Sequence, residues 1–146
     1  MNPPEIRELA EADHSAALDL LAHLNPDVPR DVLGRRFADI LREHPHYRIF
    51  GAFAGGRLAA VAGVWIATKI WCGRYLEIDN LVVDPALRSA GLGSALMRWL
   101  EDLARAEGCE IAVLDSYTSN HASHRLYHRL GFEIRGFHFV KFLAPR

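Results

Sequence analysis

The segment 81–96, LVVDPALRSAGLGSAL, combines the residue types that bind an anion. An apolar strand pattern ends there, a loop carrying Arg88 follows, and Gly91 and Gly93 stand where an amphipathic helix begins. Glycine lets the backbone approach a ligand closely. The first N–H groups of a helix have no intrahelical acceptor and lie at the positive end of its dipole. Together with the Arg88 guanidinium, this pattern predicts a phosphate site.

Two well-known phosphate-binding motifs do not fit this segment. The Walker pattern requires Gly-Lys followed by Ser or Thr, which is absent here. The dinucleotide fingerprint requires a third glycine and a position at the first strand-to-helix turn, and neither condition is met. Taken alone, glycines that serve only a tight loop explain the segment equally well.

Glu77 and Asp79 are the candidate acid–base residues. Side chains two residues apart on a strand share a face, so both are expected beside Tyr75, Leu81 and Val83. The surrounding segment is apolar enough to predict burial, and paired carboxylates suit proton transfer. The alternative is an exposed polar face of an edge strand.

Histidine and cysteine spacing gives little support for a metal site. His121, His124 and His128 could share a helix face, but no His-Glu-x-x-His pattern and no cysteine joins them. We therefore expect no metal and interpret them as solvated helix residues. Cys72 and Cys109 are too few and too far apart for a disulfide scaffold or a zinc knuckle.

The elements that must position these residues alternate between helices and strands, which predicts a mixed α/β domain. A short strand at 5–9 is followed by helices over about 13–24 and 31–43. Strands are predicted at 47–54, 58–71 and 75–83, a helix at 92–107, a central strand covered on both faces at 111–114, a helix from 119 or 120 to 131, and two closing strands within 132–142.

Length and charge limit the class of protein. A chain of 146 residues without repeats or linkers predicts a single domain over 1–146. Seventeen Lys and Arg against eighteen Asp and Glu argue against a protein that coats nucleic acid or an anionic membrane. The chain shows neither a secretory signal nor an apolar run of the roughly 20 residues that a membrane span needs. The default expectation is a cytoplasmic protein.

Two motifs together resemble the GCN5-related N-acetyltransferase (GNAT) family. The Arg-x-x-Gly-x-Gly pattern at 88–93 resembles its pyrophosphate-binding motif, and Asn120, Tyr127 and Gly131-Phe132 resemble its second signature. Element order and spacing also match over 5–142. The resemblance implies a GNAT-type α/β fold (an α+β mixed sheet), in which a mostly antiparallel central sheet splays at the cofactor wedge and is flanked by about four helices.

The resemblance implies that acetyl-CoA, the acyl-donor substrate, lies between the strands matching 75–83 and 110–116. Backbone groups around Leu81, Val82 and Val83 would hold the pantetheine arm and the acetyl carbonyl, and Asn120 would contact the arm. The pyrophosphate would be held by the Arg88 side chain and by the backbone N–H groups of Ser89, Ala90, Gly91, Leu92, Gly93 and Ser94.

The resemblance also implies an acid and a base. Glu77 matches the general-base position of the histone-type branch, whereas Asp79 could instead bind the ammonium group of the substrate. A water chain is the third candidate for the base. Tyr127 would lie near the departing sulfur and protonate it, and the alternative is a helix tyrosine packed beside Leu126 and Leu130. A backbone N–H at the end of the 75–83 strand would stabilise the oxyanion.

The implied activity is transfer of an acetyl group to a primary amine, with a small-molecule acceptor favoured and no nucleic-acid or membrane partner. The alternatives are a protein lysine or N-terminal acetyltransferase and a non-catalytic acyl-CoA-binding regulatory module. A homodimer is common in the family and is left open. Phe137 to Lys141 weakly resembles the C-terminal end of aminoalkylphosphonate acetyltransferases. The acceptor pocket is expected between 24–33, 71–75 and the last hairpin, with aromatic residues as candidate lining.

Overall fold

The computed structural model describes residues 2–88 and 90–145. Two compact units divide the chain, the first over Met1–Leu114 and the second over Asp115–Arg146. The elements of the first are β1 (Glu5–Glu8), α1 (His14–Leu24), α2 (Arg30–Glu43), β2 (Tyr47–Ala54), β3 (Arg57–Lys69), β4 (Gly73–Val83), α3 (Leu92–Ala106) and β5 (Ile111–Leu114), with 3₁₀ turns at Glu11–Asp13 and Pro85–Leu87. The second unit contains α4 (His121–Arg129). The single domain over 1–146 stays a prediction.

The five strands form one mixed sheet in the order β1-β2-β3-β4-β5. The pairs β1–β2, β2–β3 and β3–β4 are antiparallel, whereas β4–β5 is parallel. Gly55 and Gly56 both have positive φ, of 58° and 77°, in the turn between β2 and β3. Such values suit glycine, and the dipeptide closes the hairpin between these antiparallel strands.

Helices cover both faces of this sheet. Helices α1 and α2 contribute Ala17, Leu20, Leu21 and Phe37 to a core cluster that also contains strand side chains. Helix α3 packs on β3 and β4 with a fully buried stripe. That stripe consists of Leu96, Met97 and Leu100.

A β-bulge interrupts β4 near its end. Asp79 pairs with Gly63 and Val82 pairs with Val61, so residues 80 and 81 together oppose the single residue at 62. Asn80 adopts a left-handed conformation with φ of 56°, which asparagine tolerates better than most residues. The extra residue bends the strand and increases its twist.

The bulge corrects the predicted face of the carboxylates. Because one extra residue reverses the alternation, Val82 lies on the face of Glu77 and Asp79, and Val83 lies on the opposite face. Val82 accordingly belongs to the core cluster formed with α1 and α2. The prediction that Val83 continues the carboxylate face was therefore wrong.

Two further predictions about the end of the chain differ from the structure. Strand β5 ends the sheet and its residues are half-buried, so the expected strand covered on both faces is wrong. A run of four apolar residues has the same periodicity in a central strand and in an edge strand, so the pattern could not separate them. Within 132–145 no strand forms, and Phe137 and Phe139 are exposed, because no partner backbone is paired there.

Substitution of Gly63 by alanine tests the packing beneath the bulge. A β-carbon built on Gly63 would overlap the hydroxyl of Tyr47, a side chain that is only 6% exposed. We expect Gly63→Ala to lower the free energy of unfolding by about 1–3 kcal/mol, the usual cost of overpacking a core. Urea unfolding followed by circular dichroism measures this.

The matched control is Gly34→Ala in α2, where a β-carbon meets nothing within 4 Å. Because alanine has the higher helix propensity, this variant should gain up to about 1 kcal/mol. Equal urea midpoints for both variants would contradict the packing argument.

Candidate active site

The loop that follows β4 is fixed by Asp84. Its Oδ1 accepts a hydrogen bond from the Ala86 backbone N–H at 2.9 Å, and its Oδ2 pairs with the Arg57 guanidinium at 2.6 Å. These contacts hold the 3₁₀ turn Pro85–Leu87 at the end of the strand. Arg88 comes directly after this turn with its side chain exposed. The Asp84-Pro85 pair is a turn signal that predicts the end of the strand here, but no contact of the Asp84 side chain could be predicted from it.

The N-terminus of α3 presents backbone donors that have no acceptor within the helix. Gly91 is the N-cap and has a left-handed φ of 78°, a conformation that favours glycine. Its carbonyl accepts the Ala95 N–H at 3.0 Å, so the helix starts there. The N–H groups of Leu92, Gly93 and Ser94 precede the first intrahelical bonds and have no helical acceptor.

These donors and the Arg88 side chain stand on one short segment, which has the chemistry required to bind a phosphate. Ala90 is exposed beside them. Ser89, which was predicted to belong to the same anion site, lies outside the described residues.

Glu77 and Asp79 lie on one face of β4, are both half-buried, and have different neighbours. The Lys69 ammonium lies 4.0 Å from Oε1 of Glu77 and 4.6 Å from the centre of the Tyr75 ring. Oδ2 of Asp79 accepts a hydrogen bond from Nε1 of Trp65 at 3.1 Å. One carboxylate therefore has a cationic partner and the other a neutral donor.

Aromatic rings surround the indole of Trp65. The Tyr47 ring lies 4.9 Å from it and the His44 ring 5.4 Å from it, both edge-on. Burial raises the pKa of Tyr47 to about 12, opposed by a side-chain hydrogen bond with Asn80 and helped by the charge of Asp79. The partners of Tyr47 and Trp65 could not be predicted from the sequence, because strand periodicity carries no information on side-chain hydrogen bonds.

The bulge changes the backbone around the residues expected to face the acyl group. Residues 80 and 81 together oppose residue 62, so one of them is an extra residue without a ladder partner on β3. Val82 is buried in the core, and Leu81 and Val83 are half-buried. A bulge at this point is a means of offering backbone donors to a ligand beside the strand.

The second unit holds Asn120 and Tyr127. Asn120 is the N-cap of α4, and its Oδ1 accepts the Ser123 N–H at 3.4 Å. Tyr127 is half-buried with its ring 6.2 Å from that of Phe132. Burial raises the pKa of Tyr127, and a hydrogen bond with Ser123 opposes this rise. A protonated phenol at neutral pH is thus favoured.

The histidines of α4 are engaged locally. His124 Nε2 lies 2.9 Å from the carbonyl oxygen of Tyr117, and His128 Nδ1 lies 3.3 Å from that of Phe132. Across residues 2–88 and 90–145, no three His, Cys, Asp or Glu side chains are grouped so as to hold a metal ion. In the same part of the chain, no helix has the length and apolar character needed to cross a membrane.

The pKa of Tyr47 gives a pH-dependent stability. Since its folded value is raised above that of the unfolded chain, its contribution is complete below about pH 10 and is lost as the pH rises to about 12. Two pKa units correspond to about 2–3 kcal/mol. We expect the free energy of unfolding to fall by about this amount across that window in the wild type, and to fall less in Tyr47→Phe.

Urea unfolding from about pH 9 to about pH 12 measures this difference. Tyr117→Phe is the control, because its ring is 85% exposed and its removal should leave the decline intact. Parallel declines in Tyr47→Phe and the wild type would show that Tyr47 does not cause the effect.

Comparison with known proteins finds N-acetyltransferases. The chain is 36% identical over 132 residues to glucosamine 6-phosphate N-acetyltransferase of Trypanosoma brucei brucei, which covers 88% of each protein. It is 32% identical to aminoalkylphosphonate N-acetyltransferase of Salmonella typhimurium, covering 73% of this chain and 68% of that one. A solved Trypanosoma brucei acetyltransferase superposes with a TM-score of 0.76 at 31% identity, covering 96% of this chain and 99% of that chain.

Residues 5–132 match the profile of the acetyltransferase (GNAT) family, which includes both the 88–93 segment and the Asn120–Tyr127 signature. The predicted family, fold class and acyl donor are confirmed. The chain belongs to the GNAT family and is an acyltransferase that uses acetyl-CoA as its acyl donor.

Proposed function

We propose that this protein acetylates the primary amine of a small molecule by direct attack of the amine on acetyl-CoA. The observation that carries the proposal is the order of features along one segment. Two half-buried carboxylates precede a bulge in β4, and a loop with Arg88 and the open N-terminus of α3 follows it. Residues 77–94 thus supply, in order along the chain, the base, the site for the acetyl carbonyl and the anion site.

The acyl donor binds through its phosphates and its arm in this proposal. The Arg88 guanidinium and the backbone N–H groups of 89–94 hold the pyrophosphate, since both supply positive charge and donors. Backbone groups of 81–83 hold the pantetheine arm and the acetyl carbonyl, and Asn120 contacts the arm. The bulge supports this role because it leaves one of residues 80 and 81 without a ladder partner on β3.

Glu77 acts as the general base. A carboxylate with a pKa near 4.3 that takes a proton from an ammonium near 10.4 faces a gap of about 6 units, roughly 8 kcal/mol. Desolvation in the site favours the neutral amine and reduces this gap. The amine nitrogen then forms a bond to the thioester carbon, and its proton passes to Glu77 directly or through water.

Tyr127 acts as the general acid. When the tetrahedral intermediate collapses, the carbon–sulfur bond breaks and the coenzyme A thiolate takes the phenolic proton. A phenol near pKa 10 and a thiol near 8.5 make this a small uphill step. Backbone donors at the bulge stabilise the oxyanion that precedes collapse. The Tyr127 role is carried over from the family motif, and burial keeps the phenol protonated.

A small acceptor is favoured by the relatives, because the two curated proteins described above are named for a phosphorylated amino sugar and an aminoalkylphosphonate. Both names denote an amine that carries a phosphoryl or phosphonyl group. A cytoplasmic location and the absence of nucleic-acid and membrane partners belong to the same proposal and are supported by the nearly balanced charge of the chain.

Acetyl-CoA should raise the melting temperature through the anion site. At about 100 times Kd a ligand stabilises the native state by about 2.7 kcal/mol, or roughly 5–10 °C for a chain of this size. Arg88→Ala should lose most of this shift because it removes a charged donor to the pyrophosphate. Differential scanning fluorimetry with and without acetyl-CoA measures both proteins.

The matched control is Arg98→Ala, another exposed arginine that lies within α3. It should keep the full shift. An unliganded wild type that does not respond to acetyl-CoA would refute the assignment of the anion site.

Removal of the acid or the base should lower turnover without abolishing donor binding. We expect Tyr127→Phe and Glu77→Gln each to reduce kcat by about 10²-fold or more, the usual contribution of general acid–base catalysis. Thiol release across a panel of amines, including glucosamine 6-phosphate and an aminoalkylphosphonate, gives kcat. Tyr117→Phe, whose ring is exposed, should keep wild-type kcat. Unchanged turnover in either active-site variant would remove that residue from the mechanism.

A further inference from the structure

The hydrogen bond between Trp65 and Asp79 joins two neighbouring strands across the candidate site. Nε1 of Trp65 donates to Oδ2 of Asp79 at 3.1 Å, although Trp65 is paired by register with Glu77. The indole of Trp65 itself packs edge-on against the rings of Tyr47 and His44. The orientation of the Asp79 carboxylate is therefore set by a side chain whose own position is fixed by packing.

The charges of the two carboxylates are compensated differently. Lys69 lies 4.0 Å from Glu77. In the described residues, Asp79 makes no ion pair and its Oδ1 accepts no hydrogen bond, so the indole is its one side-chain donor. A half-buried carboxylate with an open oxygen beside aromatic walls is suited to accept a hydrogen bond from a ligand.

The spacing along β4 separates the Asp79 carboxylate from Glu77, the proposed base. Residues two apart on a strand are about 6–7 Å apart at Cα. Since Glu77 is assigned to the reacting amine, Asp79 is placed to meet a different group on the same acceptor.

We infer that Trp65 is a positioning residue that orients Asp79 to accept a hydrogen bond from a second donor on the acceptor, an ammonium or a hydroxyl group several bonds from the reacting amine. This inference rests on the proposed function. Acceptors are then polyfunctional amines rather than simple alkylamines.

The indole N–H resonance of Trp65 reports directly on this subsite. In nitrogen-15-labelled protein saturated with coenzyme A, three indole signals are expected from Trp65, Trp71 and Trp99, and Trp65→Phe identifies the first. We expect cadaverine, which has a second ammonium, or glucosamine, which has hydroxyls, to move the Trp65 signal. Pentylamine, which has neither, should leave it in place. The response of the first two probes distinguishes a charged from a neutral donor.

Kinetic constants distinguish a loss of Asp79 positioning from a general loss of activity. Trp65→Phe and Asp79→Asn should each raise KM about tenfold or more for the probe that moves the resonance, the effect of losing a hydrogen bond to a charged group. The loss of kcat/KM should be larger for that probe than for pentylamine, and KM for acetyl-CoA should change least. Tyr117→Phe is the control, because that ring is 85% exposed and lies outside the expected acceptor pocket.

The inference is overturned if no probe moves the Trp65 signal, or if pentylamine moves it as much as the other two. It is also overturned if Asp79→Asn lowers kcat/KM equally for all three amines. A protein that still binds acetyl-CoA and releases thiol would then retain its proposed function without this subsite. Failure to bind acetyl-CoA at all would instead refute the function.

Discussion

The bulge in β4 is the constraint on which the candidate site depends. Two residues of β4 oppose one of β3, and Asn80 takes a left-handed conformation to allow it. The same extra residue places Val82 in the core and keeps Glu77 and Asp79 on the face covered by α1 and α2. Without it, the alternation of the strand would send Val83 into that core instead. The bulge thus places Val82 in the core and leaves one residue of β4 without a ladder partner on β3.

Gly63 and Tyr47 support this irregularity from the neighbouring strands. Gly63 is the register partner of Asp79 and has no side chain, so the Tyr47 phenol can lie over it and reach Asn80. The phenol is almost fully buried, which explains why its proton is held so tightly. The buried Tyr47 hydroxyl makes its hydrogen bond with Asn80 in the bulge rather than with water. The packing of Tyr47 in the core therefore affects the geometry of the bulge.

The position of the candidate anion segment could be predicted from the sequence because its geometry is local. Arg88 follows the turn after β4, and Gly91 and Gly93 stand at the start of α3, an arrangement that a short segment determines by itself. The strands at 47–54 and 111–114 were predicted at the bounds observed, and α1 and α3 to within a few residues. Their signals are apolar periodicity, glycine turns and helix stops, all of which are properties of neighbouring residues.

The features that escaped prediction depend on contacts distant in sequence. The face of Val83 was wrong because a bulge is a mismatch between two strands and leaves no trace in the periodicity of one. The bond from Trp65 to Asp79 spans 14 residues and requires the register of β3 on β4. The apolar pattern of 132–142 predicted two strands, but a strand exists only where a partner backbone accepts its hydrogen bonds.

The net charge of the chain does not show how its charged side chains are paired. The chain is nearly neutral, yet its arginines and carboxylates are paired locally, as Arg57 with Asp84 and Arg48 with Glu8 and Glu107. The pair with Asp84 fixes the loop that leads to Arg88 and leaves that guanidinium exposed for a ligand. A nearly neutral composition is therefore compatible with the candidate anion site, because a phosphate would meet the donors of one segment rather than the net charge of the chain.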